Sequence, residues 1–216
     1  MCYNKEVSIL MYIIGVTLSA ILYFTGDKYD KHIALLAFII IQIQLAEFFM
    51  WYDEDCTKGI NNIATYITYI ILITQSSFII IGAIIFKTTH IPNNILYAIF
   101  TIFMMSVFYA VFSNIQLSLK KCSRNKKDHP HLIWDLDVYY KNYVIVTIFY
   151  YLIFLIFLFL KDFKKGIVVI TILVLLLLDS IYNTTTYIRE YESMWCLKTV
   201  SVPFFIILYN FIRSIL

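Results

Sequence analysis

The sequence predicts an all-α fold: a polytopic transmembrane bundle of seven helices, forming one domain over 1–216. Three observations lead there. Of 216 residues, 61% are hydrophobic and only 14% charged, too few polar residues to clothe a water-soluble domain of this size. Seven separate segments approach the roughly 20 apolar residues that cross about 30 Å of hydrocarbon. Runs such as "LIFLIFLFL" and "ILVLLLL" are continuous rather than alternating, and lipid offers no partner to an open sheet edge, so the spans are helices and not barrel strands.

The first span covers about 7–24. One Lys precedes a long apolar run with no small-x-small cleavage site, so it reads as a retained helix and not a secretory signal. The second, 33–52, closes on "QIQLAEFFMWYDEDC". The third and fourth, 63–86 and 93–113, carry Gln75, Ser76, Ser77, Thr101 and Ser106 but no charge. A polar connection, 114–141, follows; it is basic at first, then aromatic and acidic. Spans at 142–160, 165–183 and 198–215 complete the set. No internal repeat is visible, so an inverted-repeat transporter has no support.

Seven crossings put the termini on opposite sides. Face A holds the N-terminal tail and the connections 53–62, 114–141 and 184–197; face B holds 25–32, 87–92, 161–164 and the C-terminal end. Cys2, Cys56, Cys122 and Cys196 all fall on face A, as do Trp51, Trp134 and Trp195, which read as an interfacial aromatic belt. The basic stretch Lys120, Lys121, Arg124, Lys126 and Lys127 favours face A in the cytosol. The sequon at Asn183–Thr185 and four cysteines on one side point the other way. The balance tips slightly to face A inside. Cys56 and Cys196, each just outside a span, are the disulfide pair to expect.

Only two acids lie within spans, Glu47 and Asp179. Ionisable groups in a bilayer are costly and by default face the bundle with a partner. Gln44, Glu47 and Trp51 follow i, i+3, i+7 spacing and share one side of their helix, while Gln75 lies deeper on the next. Two readings stay open. Glu47, Asp179 and Gln75 line a polar cavity on face A, or they make helix–helix hydrogen bonds. For Gln75 and Asp179 packing or interfacial snorkelling is favoured.

His129 and His131, beside Asp135, Asp137 and Cys122, are ligand types for zinc, but no fixed spacing supports a site, and solvated loop residues are the better reading. No metal or cofactor is therefore expected. A net charge of +3 gives nucleic-acid binding little support. The expected partner is the bilayer, with anionic headgroups as a further contact for 120–127. A retinal protein needs a lysine midway along the seventh span, where Lys198 stands only at its start. A seven-span hydrolase of the alkaline-ceramidase type needs histidines on its spans. Here His32, His90, His129 and His131 lie outside or at the edges of spans.

The pattern Q-x-x-E-x-x-x-W (Gln44, Glu47, Trp51), followed by Cys56, Asn61 or Asn62 and Gln75, resembles that of uncharacterised polytopic, seven-span membrane proteins of giant viruses and some protists. "ESMWC" (Glu192 to Cys196) is similar to an S-x-W-C element of the same group. The resemblance implies no activity. It does imply that Trp51, Cys56, Trp195 and Cys196 lie close together. The functional expectation is a protein that binds or passes a small molecule or ion through a polar cavity near Glu47. The alternatives are a membrane-embedded lipid hydrolase and a structural viral or host membrane protein without catalysis; an enzyme is the less favoured.

Overall fold

The computed structural model describes residues 4–118, 121–125, 132–134, 154–183 and 198–215. Their helices are α1 (Lys5–Thr25), α2 (Lys28–Tyr52), α3 (Ile60–Phe86), α4 (Asn93–Ser118), α5 (Phe163–Asn183) and α6 (Val202–Ile215). A 3-10 turn occupies Leu155–Phe159. The fold is all-helical as expected, with one two-residue antiparallel pairing, β1 (Arg124–Asn125) with β2 (Leu132–Ile133), between loop segments.

Among the described residues, four helices and not seven combine the length and hydropathy to cross a bilayer: α1, α2, α3 and α5. Of the expected span 142–160, residues up to 153 lie outside the described part, and the remainder is the 3-10 turn. The expected last span shortens to 14 residues because the chain turns at Val200 and Ser201 before α6 begins. Pro203 accounts for this. Lacking an N–H, it suits a first helical turn and not a helix interior.

Each boundary has a local cause. Asn4 caps α1 by accepting the Val7 N–H at 2.8 Å. Asp27 and Asp30 form a reciprocal capping box that starts α2 one turn before the apolar run. Gly59, at φ 74°, precedes α3 without a side-chain cap of its own. That duty falls to Asp53, whose carboxylate accepts from Lys58 N at 3.0 Å and Asn61 N at 3.1 Å.

Two hydrogen bonds fix the antiparallel register of α2 against α3. At one end Asn61 Nδ2 donates to the Met50 carbonyl at 2.9 Å. At the other, His32 Nε2 lies 2.7 Å from the Ile79 carbonyl, so that nitrogen carries the proton, and Nδ1 accepts from Thr88 Oγ1 at 2.9 Å. The His32 ring packs directly on Gly82, where a Cβ would overlap its Cδ2. Gly15 plays the same part on α1: a Cβ there would come within 2.8 Å of Ile41 and 2.9 Å of Val200.

The described ends sort into two groups. At face B, Thr88 and His90 exchange backbone hydrogen bonds with Lys161 and Phe159, and Phe157 stacks at 5.4 Å on His32. At face A, the α2–α3 turn meets residues 121–125 and 132–134. The main core lies between, with Ile33, Ile40, Tyr69, Ile79, Phe103 and Ile206 among its buried members.

Gly82→Ala is expected to destabilise the protein by about 1–3 kcal/mol, because His32 cannot withdraw without losing two buried hydrogen bonds. Thermal unfolding of the two proteins in detergent measures this.

Candidate functional site

At face A the sequence-predicted residues meet a partner that the sequence did not suggest. Glu47 is fully buried and its Oε1 accepts from the Trp134 indole N–H at 3.1 Å. Trp134, only 5% exposed, sits with Leu132 against Ile43, Met50 and Ala64. It is therefore a plug pressed between α2 and α3 and not a member of an interfacial belt. The two residues are 87 positions apart, so helix periodicity could not pair them.

Asn61 is the hub beneath this plug. Its amide donates to the Met50 and Ser123 carbonyls and accepts the Ser123 N–H at 2.9 Å. Thr65 joins both, reaching Ser123 Oγ at 2.8 Å, and Asn62 donates to the Lys121 carbonyl at 2.8 Å. All four groups of this buried amide chemistry are thus committed to structure. Asp53 loses water, which raises a carboxyl pKa, but the N–H groups of Asn61, Lys58, Ile60 and Thr57 outweigh this and hold it below the ordinary aspartate value.

A disulfide locks the same region. It joins Cys56 to Cys122, with Cα atoms 6.2 Å apart, and so corrects the expected Cys56–Cys196 pair. The physical reason is the hub: hydrogen bonds from Asn61 and Asn62 hold Lys121 and Ser123 on either side of Cys122, beside the turn that carries Cys56. Cys56 itself adopts φ 58°, a left-handed conformation unusual for a residue with a side chain. Cys196, Trp195, His129 and His131 lie outside the described residues.

The expected grouping of Glu47, Gln75 and Asp179 does not form. The α2–α3 register sets Gln75 level with Leu36, 11 residues or about 16 Å along the axis from Glu47. Asp179 forms an ion pair with Lys198, its side chain 55% exposed. Gln44 and Trp51 do share the α2 face with Glu47; the Gln44 amide and the Trp51 N–H have no hydrogen-bond partner among the described residues.

A network of paired charges lies instead at face B. Lys165 on α5 is 2% exposed, yet its ammonium donates to Asp27 Oδ2 at 3.0 Å and Asp30 Oδ1 at 2.8 Å. Asn210 on α6 donates to Asp30 Oδ2 at 3.0 Å, and Arg213 pairs with Asp162 at 3.0 Å. Burial alone would raise the Asp27 and Asp162 carboxyls. The Asp30 and Tyr29 N–H groups and Lys165 lower the first, and the Lys165 N–H and Arg213 lower the second; both end below the ordinary value and stay ionised. This network walls a cavity of about 480 Å³ between the end of α1, the start of α2 and the end of α6. Leu22 and Ile207 supply apolar lining; Thr25, Asp27, Asp30, Lys165, Asn210, Arg213 and Ser214 supply polar lining.

Sequence reasoning left Lys165 and Arg213 as scattered basic residues and placed His32 at a span edge. The signal for the first was available: Asp27-x-x-Asp30 is a capping pair at a helix start. Nothing local announces that a lysine 135 residues later completes it. Among the described residues no group of three or more His, Cys, Asp or Glu is placed to hold a metal ion.

Two outcomes follow from face A. Without reductant, Cys56→Ser and Cys122→Ser should each expose one thiol more than the parent protein does on denaturation, measured by maleimide mass tagging. Asp53→Asn should flatten the acid limb of the stability profile. A carboxyl with a depressed folded-state pKa stabilises above its unfolded value near pH 4, and that contribution is lost as pH falls through the folded value. Unfolding followed from pH 6 downward compares the two. Searches against family models, curated proteins and solved structures found no match for this chain.

Proposed function

We propose that the chain is a seven-span integral membrane protein that binds a small polar ligand in the charged cavity at face B. The carrying observation is that cavity: about 480 Å³, in the range of small-molecule sites, with a buried lysine held rigidly in its wall. Binding thus moves from the expected Glu47 site to the opposite end of the bundle. Glu47, committed to Trp134 under a disulfide-locked turn, acts here as a helix staple.

Seven crossings are supported by where the described chain stands. Trp134 packs at face A and Phe157 at face B, at opposite ends of the described bundle. The Cys56–Cys122 bridge favours face A in an oxidising compartment, against the slight tilt of the loop charges. Face B, with the cavity, then faces the cytosol.

Native mass spectrometry of the full chain, purified gently in detergent, is expected to show a non-covalent adduct. Ser214→Trp, which fills the exposed rim of the cavity, should remove that adduct while leaving the thermal unfolding midpoint within about 2 °C of the parent. An adduct retained at full occupancy in a folded Ser214→Trp protein would place the ligand elsewhere.

A further inference from the structure

We infer that the face B cavity takes a phosphate group, supplied by the headgroup of an anionic membrane phospholipid. This rests on the cavity being the binding site, and it names the ligand. The first line of support is a donor surplus. The Asp27 and Asp30 oxygens are engaged: Asp27 Oδ1 by the Tyr29 and Asp30 N–H groups, Asp30 Oδ2 by the Asp27 N–H and Asn210, and the remaining oxygen of each by Lys165. The Lys165 ammonium has three protons, of which these two carboxylates use two. Arg213 spends one of its terminal nitrogens on Asp162, and its side chain is 56% exposed on the cavity wall. A guanidinium with donors to spare, backed by an ammonium, matches the tetrahedral oxygens of a phosphate.

The second line is the field at this end of the bundle. Among the described residues around the cavity end, Lys28, Lys31, Lys161, Lys164, Lys165 and Arg213 stand against the carboxylates of Asp27, Asp30 and Asp162. The cavity wall itself balances Lys165 and Arg213 against Asp27 and Asp30, so the draw on anionic headgroups comes from the outlying lysines. The third is position. The cavity lies where α1 and α6 end, and the half-buried Ile207 gives it an apolar side that a free anion would not use but an acyl-linked glycerol would. Phosphate chemistry alone would also admit inorganic phosphate or a soluble phosphate ester. The apolar lining selects the lipid.

The test uses the full-length protein in mixed micelles of a neutral phosphatidylcholine, titrated in one arm with phosphatidic acid and in another with inorganic phosphate at matched ionic strength. The unfolding midpoint is the readout. Phosphatidic acid is expected to raise it, Arg213→Gln to weaken the half-saturating concentration about tenfold or more, and Lys87→Gln, on the same face but off the cavity, to leave it within about twofold. A rise with inorganic phosphate and none with the lipid would overturn the lipid assignment. Equal weakening by Arg213→Gln and Lys87→Gln would show diffuse surface attraction and overturn the site. Silence in both arms, with a native-mass adduct still displaced by Ser214→Trp, would overturn phosphate while leaving ligand binding standing. Silence in both arms with no adduct would remove the binding reading as well.

Discussion

A buried ammonium must be neutralised where it sits, and that requirement ties together the helices that come earliest and latest in the chain. Lys165 enters from α5, its carboxylate partners from the α1–α2 turn, and the Asp30 carboxylate is held in turn by Asn210 of α6. Removing one member of such a set leaves an uncompensated charge, at a cost of about 3–5 kcal/mol, whereas replacing the whole set with apolar groups need not destabilise at all. The network therefore specifies which helix ends meet more than it adds stability. Its by-product is a rigid polar wall, the condition a binding site needs.

Helix α2 receives nearly every other constraint. His32 near its start and the Met50 carbonyl near its end both bond to α3, so the pair cannot slide by a turn without breaking both contacts. Buried groups along it, from Asp30 through Gln44 to Glu47, are polar residues in a helix that also packs closely on α1 through Gly15. A bundle with only apolar contacts in lipid has little to choose one register over another, since tails are as apolar as leucine. The polar contacts of α2 supply that choice.

How far the fold was legible follows from the same physics. A span must be long and apolar whatever it packs against, so α1, α2, α3 and α5 stand out in sequence, each within a few residues of its observed bounds. The end of α6 was readable too, but its start was not, because Pro203 lies inside an apolar run that reads as continuous. The expected alternation of faces put all four cysteines on one side and favoured Cys56 with Cys196, since each stands just outside an expected span. What chose Cys122 is a set of hydrogen bonds from Asn61 and Asn62 across about 60 residues, and such contacts leave no periodic trace. Glu47 was identifiable as a group needing a partner; that the partner is an indole from a loop was not. The charged cavity was missed because Lys165 and Asp30 look like ordinary flanking charges of two separate spans.

The two ends of the bundle then differ in what their polar groups have left to give. At face A the amide of Asn61, the carboxylate of Asp53, the Trp134 indole and two cysteines are spent on one another. Closure of that kind fixes geometry, although the Gln44 amide and the Trp51 N–H on the same helix face stay without hydrogen-bond partners among the described residues. At face B the carboxylates are equally occupied, but the cations are not, and an open cavity lies beside them. A ligand there adds bonds without breaking any. That difference is the ground for proposing a site at face B rather than at a buried acid, because a carboxylate in a membrane helix is equally well explained by packing. Glu47 drew attention by being charged and apolar-flanked; Arg213, near the C-terminal end of α6, has the more consequential property of donors beyond the one given to Asp162.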